Sequence, residues 1–139
     1  MNKLTLKLEL DLDFKLLGIT CQLKDYRLCY HINKFTGLQL AKTEDHEVDY
    51  LNKQILFFSR YIFIPPMAET EYYLLANRGI NGGFLIPEMR GADYFFLIRN
   101  FIDDENFATL HHAISGIKDV LTATEIEPHK LKSKENLVF

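Results

Sequence analysis

Three stretches of β-branched and aromatic residues decide most of what this chain can become. They are Ile-Leu-Phe-Phe-Ser-Arg-Tyr-Ile-Phe-Ile at 55–64, Thr-Glu-Tyr-Tyr-Leu-Leu-Ala at 70–76 and Ala-Asp-Tyr-Phe-Phe-Leu-Ile-Arg at 92–99. Side chains that are bulky close to the backbone crowd the preceding turn of a helix but fit a pleated surface, so each run predicts a strand. Pro65, Pro66, Met67, Ala68 and Glu69 separate the first two runs, a span short enough for an antiparallel connection. The segment 77–83, Asn-Arg-Gly-Ile-Asn-Gly-Gly, reads as a turn or mobile loop whose glycines permit positive φ.

The N-terminal part carries a different signal. Leu4, Leu6, Leu8, Leu10, Leu12, Phe14 and Leu16 occupy every even position, with Thr5, Lys7, Glu9, Asp11, Asp13 and Lys15 between them. A period of two marks a half-buried strand. The run is long for one strand and Asp11 and Asp13 are poor strand formers, so a break is expected there, followed by a short strand at 15–20 through Leu16, Leu17, Gly18 and Ile19. After Cys21 the period changes: Leu28, Ile32 and Phe35, with Cys29 beside them, form one helical stripe. A helix is expected at 23–36, with Thr20 as a possible N-cap, Gly37 as the left-handed stop and Tyr26 and Tyr30 on its flank. The polar, acid-rich residues 42–47 read as a loop.

Asp103, Asp104 and Glu105 place negative charge where the positive end of a helix dipole would lie. Phe107, Leu110, Ile114, Ile117, Leu121 and Thr124 then extend an amphipathic helix over 105–124, stopped by Pro128. Gly116 within it costs about 1 kcal/mol against Ala. The tail Leu137-Val138-Phe139 could add a short edge strand. No segment repeats and no compositional shift divides residues 1–139, which predicts a single α+β domain: a mostly antiparallel β-sheet packed against two α-helices.

Over 139 residues, 47% hydrophobic and 25% charged side chains exclude a disordered tail or a collagen-like chain. Lys and Arg total 16 against 19 for Asp and Glu, a formal net charge of -3. Such a chain has no global attraction for phosphate backbones or anionic lipid, so nucleic-acid binding would need a local patch. The apolar stretch near 55–66 is interrupted by Ser59 and Arg60, far short of a membrane span, and the N-terminus lacks the continuous apolar core of a signal peptide. Cys21 and Cys29 form neither a C-x-x-C pair nor a disulfide framework, which suits reduced, buried thiols in a cytoplasmic protein.

Motifs for known chemistry are largely absent. Gly79, Gly82 and Gly83 lack both dinucleotide-binding spacing and a phosphate-binding Lys. His46-Glu47 opens like H-E-x-x-H, but Tyr50 stands where the second His belongs. Among His31, His46, His111, His112 and His129, the adjacent pair would diverge by about 100° on a helix. No metal and no cofactor is therefore expected. A nucleophilic Cys29 is disfavoured because a thiolate on an apolar stripe is costly. Lys130, Lys132 and Lys134 alternate near the end but are flanked by Glu127 and Glu135, which reads as a solvated tail, with nucleic-acid contact a weak option.

One segment stands apart: Ile86-Pro87-Glu88-Met89-Arg90-Gly91-Ala92-Asp93-Tyr94. It resembles the signature of the bacterial IPExxxVDY family, with Ile-Pro-Glu and Asp-Tyr at matching spacing and Ala92 in place of Val. The resemblance extends to Phe-Lys-Leu-Leu-Gly-Ile at 14–19, Asp-Tyr-Arg-Leu at 25–28, Ile32-Asn33 and Asn136-Leu137. It implies a single domain of that type and brings no reaction with it. Pro87 biases Ile86 to an extended conformation, and Gly91 allows a tight turn. Glu88 and Asp93 could thus approach as a carboxylate pair suited to acid–base chemistry or ligand binding, with Arg90 between them. Equally, a Glu88–Arg90 ion pair could hold a structural turn in which Asp93 accepts backbone hydrogen bonds and Tyr94 packs. With catalytic motifs missing, the leading expectation is a non-enzymatic protein-interaction or regulatory domain with an unidentified protein partner, using Tyr26, Tyr30, Tyr72 and Tyr73 as contact aromatics. The alternative is a small-molecule-binding protein or cryptic enzyme built on residues 88–94.

Overall fold

A computed structural model describes residues 13–50 and 54–139; the alternation at 4–12 lies outside them. Six strands, β1 (Lys15–Cys21), β2 (Ala41–Lys42), β5 (Arg60–Phe63), β6 (Glu71–Ala76), β7 (Tyr94–Arg99) and β8 (Val120–Ile126), form one sheet in the order β2-β5-β6-β7-β1-β8. Every neighbouring pair is antiparallel. Strands β3 (His46–Tyr50) and β4 (Gln54–Phe58) pair separately as a small antiparallel sheet. Helices α1 (Asp25–Thr36) and α2 (Asp104–Ser115) complete an α+β architecture that is mostly sheet.

Alternate side chains feed two cores. On one face Leu17, Ile19, Leu74, Phe96 and Ile98 meet Leu28, Cys29 and Ile32 of α1 and Phe107 and Ile114 of α2. On the other, Leu16, Leu75, Phe95 and Leu97 meet Val48, Leu56 and Phe58 from the small sheet, together with Leu85, Ile86, Leu131 and Leu137. Strand β7 is central and covered on both sides, which is why residues 94–98 are apolar at every position rather than every second one.

Several boundaries differ from the sequence expectation, each for a local reason. The run at 55–64 is two strands in two sheets, divided at the buried Ser59, whose carbonyl accepts the Ala76 amide at 3.0 Å. The loop expected at 42–47 contains the end of β2 and the start of β3; His46 and Val48 point inward and Glu47 and Asp49 outward, an alternation hidden because a histidine fills one inward place. Helix α2 stops at Ser115, where the Gly116 amide closes onto His112 at 3.0 Å. The β-branched residues after it pair with β1 instead, so Leu121 and Thr124 are exposed on β8 rather than lining a helix.

Gly37 ends α1 as expected, at φ 82° with its amide bonded to Asn33. Lys24, not Thr20, precedes the helix, and the Thr20 hydroxyl donates to the Gly91 carbonyl at 2.7 Å. The tail forms no edge strand. Residues Lys134–Leu137 make a 3₁₀ turn, and Leu131 and Leu137 are buried, so the segment is docked on the core while Lys130 and Lys132 stay exposed. His46 fixes it from the small sheet through a 2.7 Å hydrogen bond to the Asn136 carbonyl, and burial holds that imidazole below its usual pKa.

Phe35 departs most from its expected place. It is 49% exposed, at the edge of the stripe that Leu28, Cys29 and Ile32 bury completely or nearly so. The stability cost of truncation should follow. Phe96→Ala, at a fully buried position of β7, is expected to lose about 3–5 kcal/mol in urea denaturation. Phe35→Ala should lose only about 1 kcal/mol or less; equal losses would contradict the assignment of the two faces.

Candidate functional site

Residues 85–92 belong to no strand, so their backbone groups need other partners once buried. Asn77 supplies them. Directly after β6, its amide is completely buried, and its Nδ2 donates to the carbonyls of Met89 at 2.9 Å and Ala92 at 2.8 Å. Its Oδ1 accepts the Ile86 amide at 2.8 Å. Its backbone N–H donates to Asp93 at 2.9 Å and its carbonyl accepts from Leu85 at 2.8 Å. One residue thus clamps both ends of the motif.

Within that clamp Pro87 opens a one-turn 3₁₀ helix, Pro87–Met89, preceded by Ile86 at φ -123° and ψ 89°, short of the fully extended conformation. Glu88 projects to one side. Its Oε2 accepts the Ser133 amide and its Oε1 the Ser133 hydroxyl, both at 2.8 Å. Desolvation alone would raise its pKa; hydrogen bonds from Ser133, from its own amide and from Lys132 outweigh that and hold the carboxyl below its usual range. Arg90 does not pair with Glu88. Its guanidinium lies 5.1 Å from the centre of the Phe84 ring, with Arg78 also placed over that ring, at 5.4 Å.

Asp93 and Tyr94 reach in another direction. Asp93 Oδ2 accepts the Cys21 amide at 2.8 Å, and its Oδ1 stands 4.0 Å from Arg78 Nε. The Tyr94 hydroxyl donates to the Leu23 carbonyl at 2.6 Å, and burial holds that phenol far above its ordinary pKa. Glu88 and Asp93 therefore serve separate partners: the C-terminal segment for one, the entry to α1 for the other. Two carboxylates spent on different backbone donors do not form an acid–base pair.

Beside Asp93 opens a cavity of about 470 Å³, lined chiefly by residues 21–25, Ser59, Arg78, Asp93 and Tyr94. Ser59 and Asp25 of its wall belong to a relay that starts behind it: Lys42 Nζ donates to Ser59 Oγ at 2.7 Å, and Ser59 donates to Asp25. Desolvation pushes Asp25 up, but hydrogen bonds from Ser59, the Tyr26 amide and Tyr61, with Lys42 nearby, hold it below the usual carboxylate range. Such a carboxylate is a poor proton acceptor, and Ser59 is held from both sides, so the relay anchors α1 instead of activating a nucleophile. Burial, reinforced by the Asp25 charge, raises the Cys29 thiol to about 11, which removes it as a nucleophile at neutral pH. Among the described residues no three His, Cys, Asp or Glu side chains come together as a metal site. His111 instead bonds the Ala123 carbonyl at 2.6 Å.

The four tyrosines divide. Tyr73 is buried and Tyr72 partly so, because β6 alternates between two covered faces. Tyr72 lies between Phe63 and Phe96, and the Tyr73 hydroxyl donates to Glu71 at 2.7 Å. Tyr26 and Tyr30 remain 58% and 59% exposed, one turn apart on α1. With Arg27 and His31 they border a shallow hollow of about 350 Å³. Asn77 and Ser133 were not legible as partners of the motif: an Asn before a Gly-rich loop signals a turn, and a Ser between lysines signals surface.

No known family model matches this chain, and no curated protein is similar enough to establish kinship. The geometry predicts unequal roles for the two motif carboxylates. Asp93→Ala, which leaves the Cys21 amide without its acceptor, should cost about 1–3 kcal/mol in chemical denaturation. Glu88→Ala, at an exposed position, should cost about 1 kcal/mol or less. Variants as stable as the parent at both positions would show that neither carboxylate serves the fold.

Proposed function

We propose that this chain is a non-enzymatic protein-interaction domain of the IPExxxVDY type, working in the bacterial cytoplasm, with the outward face of α1 as its contact surface. The observation that carries the reading is the pair Tyr26 and Tyr30, two large aromatics more than half exposed and one turn apart on one helix face, whereas Phe101, also more than half exposed, lies outside every helix and strand. Tyrosine suits contact surfaces because it offers apolar area and a polar tip at little entropic cost. Among the described residues no helix is long and apolar enough to cross a membrane.

The alternative, a small-molecule site on residues 88–94, has less support. The Glu88 and Asp93 carboxylates and the Tyr94 hydroxyl already hold backbone or hydroxyl groups of the fold. Ligand recognition needs convergent polar groups that are free to engage.

The test is a paired capture from the native cell extract with cross-linking and quantitative mass spectrometry, using wild type and Tyr26→Ser/Tyr30→Ser. Because both side chains are exposed, the double variant should melt within a few degrees of wild type. Proteins retained by wild type and depleted about ten-fold or more by the variant are the expected result, a loss of about 1.4 kcal/mol of contact energy. Identical partners for both proteins would refute the assignment of this face.

A further inference from the structure

We propose that the outward face of α1 docks a linear acidic segment of another protein, an inference that rests on reading this face as the contact surface. On a helix, residues three and four apart are neighbours. Tyr26, Tyr30 and Lys34 therefore form one row, and Arg27, His31 and Lys34 the row beside it. Tyr26, Arg27, Tyr30 and Lys34 are all exposed, and Lys24 adds a further exposed cation at the helix start.

The only acid in α1 is Asp25, which is turned inward onto Ser59 and Lys42. The outward face thus presents cations and tyrosine rings with no helix carboxylate among them. This reverses the sign of the whole chain, whose net charge is -3. Complementarity across an interface then calls for a negatively charged partner, with the hollow between Tyr26, Arg27, Tyr30 and His31 taking an apolar side chain. The twelve-residue helix is about 18 Å long, which suits a short linear segment.

Two other occupants fit less well. A second copy meeting the same face about a two-fold axis would bring this carboxylate-free cationic face against itself, and like charges repel. A nucleic acid would find three Lys or Arg side chains on α1 and its entry, against the roughly 6–10 phosphate contacts of a strong binder, on a chain that is negative overall.

The experiment selects binders to the immobilised full chain from a library of random twelve-residue peptides displayed on phage, then measures the enriched peptides by fluorescence anisotropy. The expected outcome is enrichment of Asp and Glu around one or two apolar residues, with binding weakened at least ten-fold by Arg27→Glu/Lys34→Glu and weakened by added salt. A twelve-residue oligouridylate should bind more weakly than the selected peptides. Neutral or basic enrichment, no enrichment, indifference to the charge reversal, or tighter binding of the RNA would each overturn the proposal. Non-acidic peptides lost on Tyr26→Ser/Tyr30→Ser would sink the acidic specificity alone. Peptides indifferent to the tyrosine variant would sink the contact face itself.

Discussion

The side-chain amide of Asn77 is fully enclosed, and enclosure obliges it to find partners for two donor hydrogens and one acceptor oxygen. It finds them in Met89, Ala92 and Ile86, the backbone of a segment that has no strand beside it. The dependence is mutual. Without those carbonyls and that amide, a buried carboxamide would be costly; without Asn77, the segment's polar backbone would be unsatisfied in an apolar setting. Leu85 and Ile86 can therefore sink fully into the second core, although the chain around them belongs to no strand and to only a single 3₁₀ turn.

From that joint, contacts run outward in two directions. Asp93, Tyr94 and the Gly91 carbonyl hold residues 20–23, which fixes the point where β1 hands over to α1. Glu88 holds Ser133, and the Asn136 side chain donates to the Leu85 carbonyl at 2.7 Å, which lays the C-terminal segment over the second sheet face. The conspicuous residues of the motif are thus occupied with one another's neighbours. Of the exposed side chains on α1, the proposed function rests on Tyr26, Arg27, Tyr30 and Lys34.

The fold class was legible because periodicity reports burial. The apolar pattern located β1, α1, β6 and β7 to within a few residues, and Gly37 marked the end of α1. Failures came where local preference and tertiary context disagree. Nothing local distinguishes Ser59 as a point where a run divides between two sheets, or residues 120–126 as strand rather than helix; the second is decided by the open edge of β1. The same limit applied to the site. Pro87, Glu88, Arg90, Asp93 and Tyr94 were visible as a set, but the partners Ser133, Cys21 and Leu23 lie 45 or more residues away in sequence. Hydrogen bonds across such separations leave no periodic trace.

The central claim is that the motif is a structural joint organised on Asn77, and the stability of Asn77→Ala tests it most directly. Truncation would leave the Ile86 amide and the Ala92 carbonyl without these partners, at about 1–3 kcal/mol for each, and would leave the Met89 carbonyl with the Ala92 amide alone. Urea denaturation should show a loss of about 3 kcal/mol or more, a large share of the stability of a domain this size. A loss below about 1 kcal/mol would mean that the segment holds its shape without Asn77, and the account of the motif as a joint would fail.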